Sequence, residues 1–118
     1  PPTMSLPQPS GRSMASNGRA RVVILAEAQR EYERIVSYLA VTAKSPAAAK
    51  AFMEEFDHQV EITANYPLLH PLSHLHELAC KGYRSFAVGK YLVLYKSHNS
   101  TVVIAHVFHQ SQDYARLV

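Results

Sequence analysis

Apolar residues follow two rhythms along this chain. Ala28, Tyr32, Ile35, Val36, Leu39 and Ala43 recur at spacings of three and four. That spacing predicts an amphipathic helix over roughly 27–43, with its Glu and Arg residues turned outward. Ser45-Pro46 then restarts the chain. A serine accepts from the first free amides of a helix, and a proline at the first helical position has no amide to leave unpaired. The second helix carries Ala48, Ala51, Phe52, Phe56 and Val60 inward and ends before Pro67. So short a break between two such helices makes an antiparallel hairpin.

The second rhythm is that of strands. Residues 21–26 (RVVILA) are apolar enough to be covered on both faces. Tyr83–Val88, Tyr91–Lys96 and Thr101–His109 follow as three more strands. Gly89-Lys90 suits a tight hairpin between the first two of these, and Ser97-His98-Asn99-Ser100 links the next two. Residues 67–80 (PLLHPLSHLHELAC) read as a proline-marked connection with one turn of helix, and 111–117 as a closing helical turn. Residues 1–20, with four prolines and no periodicity, read as a flexible leader or an expression remnant ahead of a single domain over 21–118. The order β-α-α-β-β-β predicts an α+β fold: a small, mainly antiparallel sheet with a helical hairpin on one face.

Composition narrows the class. The 118 residues are 47% hydrophobic and 18% charged, which fits a globular domain rather than a disordered chain. Cys80 is the single cysteine, so no intramolecular disulfide forms and a reducing compartment is expected. No apolar run approaches the roughly 18 residues of a membrane span, and the expected location is the cytoplasm. The net charge of +3 conceals an asymmetry: residues 27–61 hold seven acids against four bases, whereas 78–118 hold five bases against Asp113 alone. A basic half of this kind suits phosphates or an acidic protein partner.

His70, His74, His76 and Cys80 are all zinc-ligating types, but their spacing lacks the paired arms of a zinc site, and they read as polar punctuation in a loop. No metal is expected. Cys80 reads as a small hydrophobe rather than a nucleophile. Neither a Gly-x-Ser-x-Gly elbow nor a glycine-rich phosphate loop is present. The sheet carries more chemistry. Alternation puts Arg84, Phe86 and Val88 on one face and Tyr83, Ser85 and Ala87 on the other. His106 and His109, three apart, point to opposite faces, one toward the helices and one toward a face expected to be open. Cations, aromatic rings and one histidine on an open face form a set suited to gripping RNA.

The helical hairpin "EYERIVSYLAVTAKSPAAAKAFMEEF", the connection "YPLLHP" and the segment "YRSFAVGKYLVLYKSHNSTVVIAHVFHQSQDYARLV" resemble the RelE/ParE superfamily of toxins from bacterial toxin–antitoxin modules. The resemblance spans about residues 21–118. It implies a toxin silenced by a cognate antitoxin, which lays a helix and an extended segment over the hairpin and sheet. RelE-like members cleave messenger RNA on the ribosome by attack of a 2′-hydroxyl, with no metal or other cofactor. Carried over to this chain, the catalytic residues are Arg84 and His109. Lys81, Tyr83, Lys90, Tyr91, Lys96 and Tyr114 then contact RNA or a partner. Leu92 and Gln110-Ser111-Gln112, however, stand where such nucleases carry basic residues. ParE-like members instead block DNA gyrase without being enzymes, and Val88-Gly89-Lys90-Tyr91 and the Ser-Pro break resemble that branch. A third outcome is a module that only binds its partner. The sequence leaves endoribonuclease, gyrase inhibitor and partner-binding module all open.

Overall fold

In a computed structural model, which describes residues 19–73 and 76–112, the two rhythms become two layers. The elements are β1 (Arg21–Ile24), α1 (Ala26–Ser37), a π-helical turn (Tyr38–Thr42), α2 (Pro46–Asn65), the short α3 (His76–Cys80), β2 (Arg84–Val88), β3 (Tyr91–His98) and β4 (Thr101–His109). The strands stand in the order β1-β4-β3-β2. β1 runs parallel to β4, and the other pairings are antiparallel. The α+β architecture and the β-α-α-β-β-β order are those expected. The helical turn expected over 111–117 and the leader over 1–20 fall almost wholly outside the described residues.

Local chemistry explains the joints. Ser45 caps α2 by accepting from the Ala48 amide at 3.2 Å, with Pro46 at the first helical position. The first helix departs from expectation: it does not stay α-helical to residue 43 but widens into the π-turn, with the Ala43 amide donating back to the Tyr38 carbonyl at 2.8 Å. Lys44 follows in the left-handed region at φ 53, completing the corner. The β3–β4 connection is two residues rather than the expected four. Asn99 and Ser100 both have positive φ, the geometry that matches the twist of a two-residue hairpin. Gly89 takes φ 58 in the β2–β3 turn, where only a residue without Cβ avoids strain.

The main core lies between the hairpin and one sheet face. Phe52 and Phe56 of α2 and Ala28 of α1 pack on Phe86, Val88, Val93, Tyr95, Val102, Ile104 and Val107. A bulge sets the phase of β4: Leu94 pairs with His106 but Tyr95 with Ile104, so Ala105 is the extra residue. Val102 and Ile104 before it, and Val107 after it, therefore all reach the same core. The opposite face is not open throughout, as the alternation had suggested. Leu78 of α3, fully buried, packs there on Leu92, Leu94 and Phe108, with Tyr83 alongside. A five-residue helix is too short to show periodicity, so this cover had no signature in the sequence.

Candidate functional site

β1 ends two residues earlier than the apolar run suggested. The Leu25 amide still donates to the Ile104 carbonyl, and the chain then turns into α1. Past Ile104, β4 therefore continues with β3 on one side and no strand on the other. Glu31, only 8% exposed, takes that place. One carboxylate oxygen accepts from the Val107 amide at 2.8 Å, and the other lies 3.2 Å from Nδ1 of His106. His106 in turn stacks on Phe108, with rings 5.0 Å apart and 16° from parallel. His106 is thereby committed to holding α1 against the sheet edge.

His109 turns the other way, toward the helical layer, at the end of β4. Its ring meets Tyr91 edge-on at 5.4 Å, and Tyr91 meets Phe52 at 5.2 Å. Nδ1 of His109 accepts from the Ser111 amide at 3.1 Å and lies 2.7 Å from the Ser111 hydroxyl. The His109 amide donates to the Gln112 side chain at 2.9 Å. Burial is the main reason the Tyr91 phenol is pushed above its ordinary pKa, with nearby Tyr38 adding to it.

Around His109 lies a crevice of two lobes, about 500 Å³ and 700 Å³, that share Tyr38, Tyr91 and His109. The first lobe is lined also by Glu27, Glu31, Arg34 and Gln112. The second is more apolar, with Leu39, Ala48, Ala51, Phe52 and Val88, and is bordered by Glu55 and Lys90. The π-turn forms one rim and leaves Tyr38 53% exposed. Such turns in a helix frequently mark functional positions. A half-apolar cleft with an exposed tyrosine at its rim and charges around it suits a protein side chain or segment as its occupant.

Arg84 is elsewhere. Its guanidinium donates to the His70 carbonyl at 2.7 Å, beside an isolated bridge between Leu72 and Arg84. The Tyr95 hydroxyl donates to the Pro67 carbonyl at 2.8 Å, so the connection after α2 is fastened to the sheet twice. Arg84 faces Tyr95 and His109 faces Tyr91, positions four residues apart on β3. That is roughly 13 Å along the sheet, with a strand between them as well. The two residues implied as catalytic lie at opposite ends of the sheet.

The same fastening yields a pH dependence. The His70 ring packs on Phe86 at 5.1 Å, and its Nε2 is buried without a hydrogen-bond partner among the described residues. Burial holds its pKa below the usual 6.5. In the unfolded chain the ring takes up a proton as pH falls through about 6.5, while the folded form resists it. The neutral ring's contribution is therefore present above that pH and is lost below it. Urea titrations at pH 7.5 and 5.5 should show less acid destabilisation in His70→Phe than in the wild type. Equal slopes would mean that the buried ring does not couple to folding.

Lys81, Tyr83 and Lys96 gather on the face that carries α3, where the Lys96 ammonium sits 4.5 Å from the centre of the Tyr83 ring. Lys90 and Tyr91 belong to the crevice. Tyr114 and His74 lie outside the described residues, as does the side chain of His76. Among the described residues no group of three or more His, Cys, Asp or Glu is placed to hold a metal. Two site residues escaped the sequence reading. Tyr38 interrupts no pattern and left no trace. Glu31 did leave one, for it lies on the inward stripe between Ala28 and Ile35, where an acid demands a buried partner.

Residues 22–114 match a family model described as the ParE toxin of a type II toxin–antitoxin system, parDE. Among solved structures, the fold is similar to the chromosomal ParDE system of Pseudomonas aeruginosa, with TM-score 0.60 and 11% identity over 79% of this chain and 98% of that one. It is also similar to the RelBE2 toxin–antitoxin complex of Mycobacterium tuberculosis, with TM-score 0.53 and 23% identity over 77% and 98%. A YoeB/ParE toxin from Agrobacterium tumefaciens gives TM-score 0.52 and 13% identity over 75% and 96%. Comparison with curated protein sequences returned no significant match. Among the described residues no helix is long and apolar enough to cross a membrane. The family match covers both helices of the hairpin and all of the sheet but the first residue of β1, and the chain belongs to the ParE toxin family of type II toxin–antitoxin systems, within the RelE/ParE superfamily.

Proposed function

We propose that this chain arrests growth in the cytoplasm by binding DNA gyrase without catalysing a reaction, and that a cognate antitoxin silences it. The observation that carries this reading is the separation of Arg84 from His109. A nuclease that activates a 2′-hydroxyl needs its acid–base group and its phosphate-binding cation within a few ångströms of one scissile bond. Here Arg84 donates to a backbone carbonyl at the far end of the sheet. The surroundings of His109 add to this reading. Its crevice is lined by Glu27, Glu31 and Glu55 against Arg34 and Lys90, a mixed set of charges rather than the cationic cluster that would hold a phosphate. The apolar lobe and exposed Tyr38 suit a protein surface instead. A toxin whose target is a protein has no use for a reactive histidine, and His109 then serves as part of the crevice wall.

Two assays on the purified chain separate the readings. A supercoiling assay with reconstituted gyrase should show inhibition at micromolar toxin, while an in vitro translation reaction proceeds with its messages intact. Cleaved messages with unimpaired supercoiling would reverse the assignment and restore the endoribonuclease. Tyr38→Ser should weaken gyrase inhibition about 10-fold or more, as loss of a tyrosine anchor does at protein interfaces.

A further inference from the structure

Charge is distributed unevenly between the two layers. From Ala26 to Asn65 the helical layer holds seven acids and four bases, whereas residues 66–112 hold Lys81, Arg84, Lys90 and Lys96 against Glu77 alone. The molecule is therefore an electric dipole whose sheet side turns toward polyanions. The register locates the cations. α3 covers Leu92, Leu94 and Phe108, and two rows of the same face extend past it. One row runs across Lys96, Val103 and Val23, and the next across His98, Thr101 and Arg21. Tyr83 adjoins Lys96, and Lys81 stands two residues before Tyr83, at the end of α3.

Arg21, Lys81 and Lys96 are all exposed. The ion pairs among the described residues are Arg19–Glu61, Glu27–Arg30 and Glu31–His106, so none of these three cations is neutralised by a described carboxylate. Across this end of the face the large apolar side chains are partly buried or covered, and the exposed groups are polar. An amphipathic peptide would find no apolar anchor there. A phosphate backbone needs none, since it is held by cations and hydroxyls that fix position without reading sequence. The Tyr83 ring also orders the Lys96 ammonium in advance, which lowers the entropy lost when it is fixed on a ligand.

We propose that the end of the sheet face spanned by Arg21, Lys96 and Lys81, from one edge strand to the other, binds the phosphodiester backbone of duplex DNA. This surface lies on the face opposite the His109 crevice, so one molecule has separate surfaces for a protein and for DNA. The inference stands apart from the gyrase reading, because its test contains no gyrase.

The test measures fluorescence anisotropy of a labelled duplex of about 20 base pairs, titrated with the purified chain over a range of salt. Three neutralised phosphates give a slope of log K against log salt near −2.7, or a loss of about 40-fold over a fourfold rise in salt. Lys96→Gln should reduce that slope by about one unit. The triple variant Arg21→Gln, Lys81→Gln, Lys96→Gln should lose binding. Lys44→Gln with Lys50→Gln, on the acidic layer, should leave the slope unchanged; circular dichroism on each variant establishes that it is folded. An equal effect of the helical-layer pair would reduce the observation to net charge and overturn the site. Absence of binding at about 25 mM salt would overturn it too. Tighter binding of an RNA hairpin at every salt would replace duplex DNA as the ligand.

Discussion

Glu31→Leu is expected to lower the unfolding free energy by about 3 kcal/mol, a large share of the total for a domain whose stability is on the order of 5–15 kcal/mol. The substitution keeps the bulk and the apolar contacts of the side chain but removes two acceptor oxygens. The Val107 amide, bonded at 2.8 Å in the wild type, is then buried with no strand and no carboxylate beside it. Nδ1 of His106 loses its partner as well. Each orphaned polar group costs about 1–3 kcal/mol, and the leucine side chain excludes the water that would relieve it. Glu31→Gln keeps a carbonyl oxygen for Val107 and an amide that can donate to the imidazole, so its cost should be about 1 kcal/mol. Urea unfolding at neutral pH distinguishes the two. A loss below about 1 kcal/mol in Glu31→Leu would show that the edge of β4 is satisfied without the carboxylate.

Glu31 also marks where a single sequence stops being readable. The stripe of Ala28, Tyr32 and Ile35 identifies the helix, and its inward face is correct, because periodicity reports which side of one element avoids water. What the buried acid bonds to depends on where β1 ends and on which part of β4 it leaves bare. That is a property of three elements together. The bulge at Ala105 is of the same kind. In "TVVIAHVFH" every residue is compatible with a strand, and nothing local says that pairing with β3 slips by one. The slip keeps Val107 in the core after Ile104, and it determines which side His106 and His109 face.

The candidate site follows the same division. Opposite orientations for the two histidines were legible, since three steps along a stretch of strand without a bulge reverse the side, and the bulge at Ala105 falls before both of them. Their surroundings were not. His109 looks toward the helices because Val107 and Tyr91 do, and the crevice exists because α1 opens into a π-turn at Tyr38. The distance between Arg84 and His109 is likewise a matter of strand register. They are 25 positions apart in the chain, and only the pairing of β2 and β4 with β3 puts them at opposite ends of the sheet. Shared residue types therefore do not by themselves say which side chains stand together; the register does.

Phe52→Ala should be the most damaging single truncation in the core, at about 3–5 kcal/mol. Phe52 is 6% exposed and stands among Tyr32 at 5.5 Å, Phe56 at 6.1 Å and Tyr91 at 5.2 Å. It is thus the ring through which both helices and β3 meet. Removing it leaves a cavity that the rigid sheet cannot close, and it forfeits two tilted ring contacts and one edge-on contact worth about 0.5–1.5 kcal/mol each beyond area alone. For a domain of this size the melting temperature should fall by on the order of 15 °C. Phe52→Leu refills most of the volume and should cost far less. The ring also forms part of the apolar lobe of the crevice, so Tyr91 loses its backing, and the proposed gyrase inhibition should drop even at temperatures where the variant is still folded. Tyr38→Ser supplies the contrast: half-exposed at the rim, it should change stability by less than about 1 kcal/mol while impairing inhibition. If Phe52→Ala unfolds readily but its folded fraction inhibits gyrase at wild-type strength, the crevice is not the recognition surface, and the search moves to the other faces of the molecule.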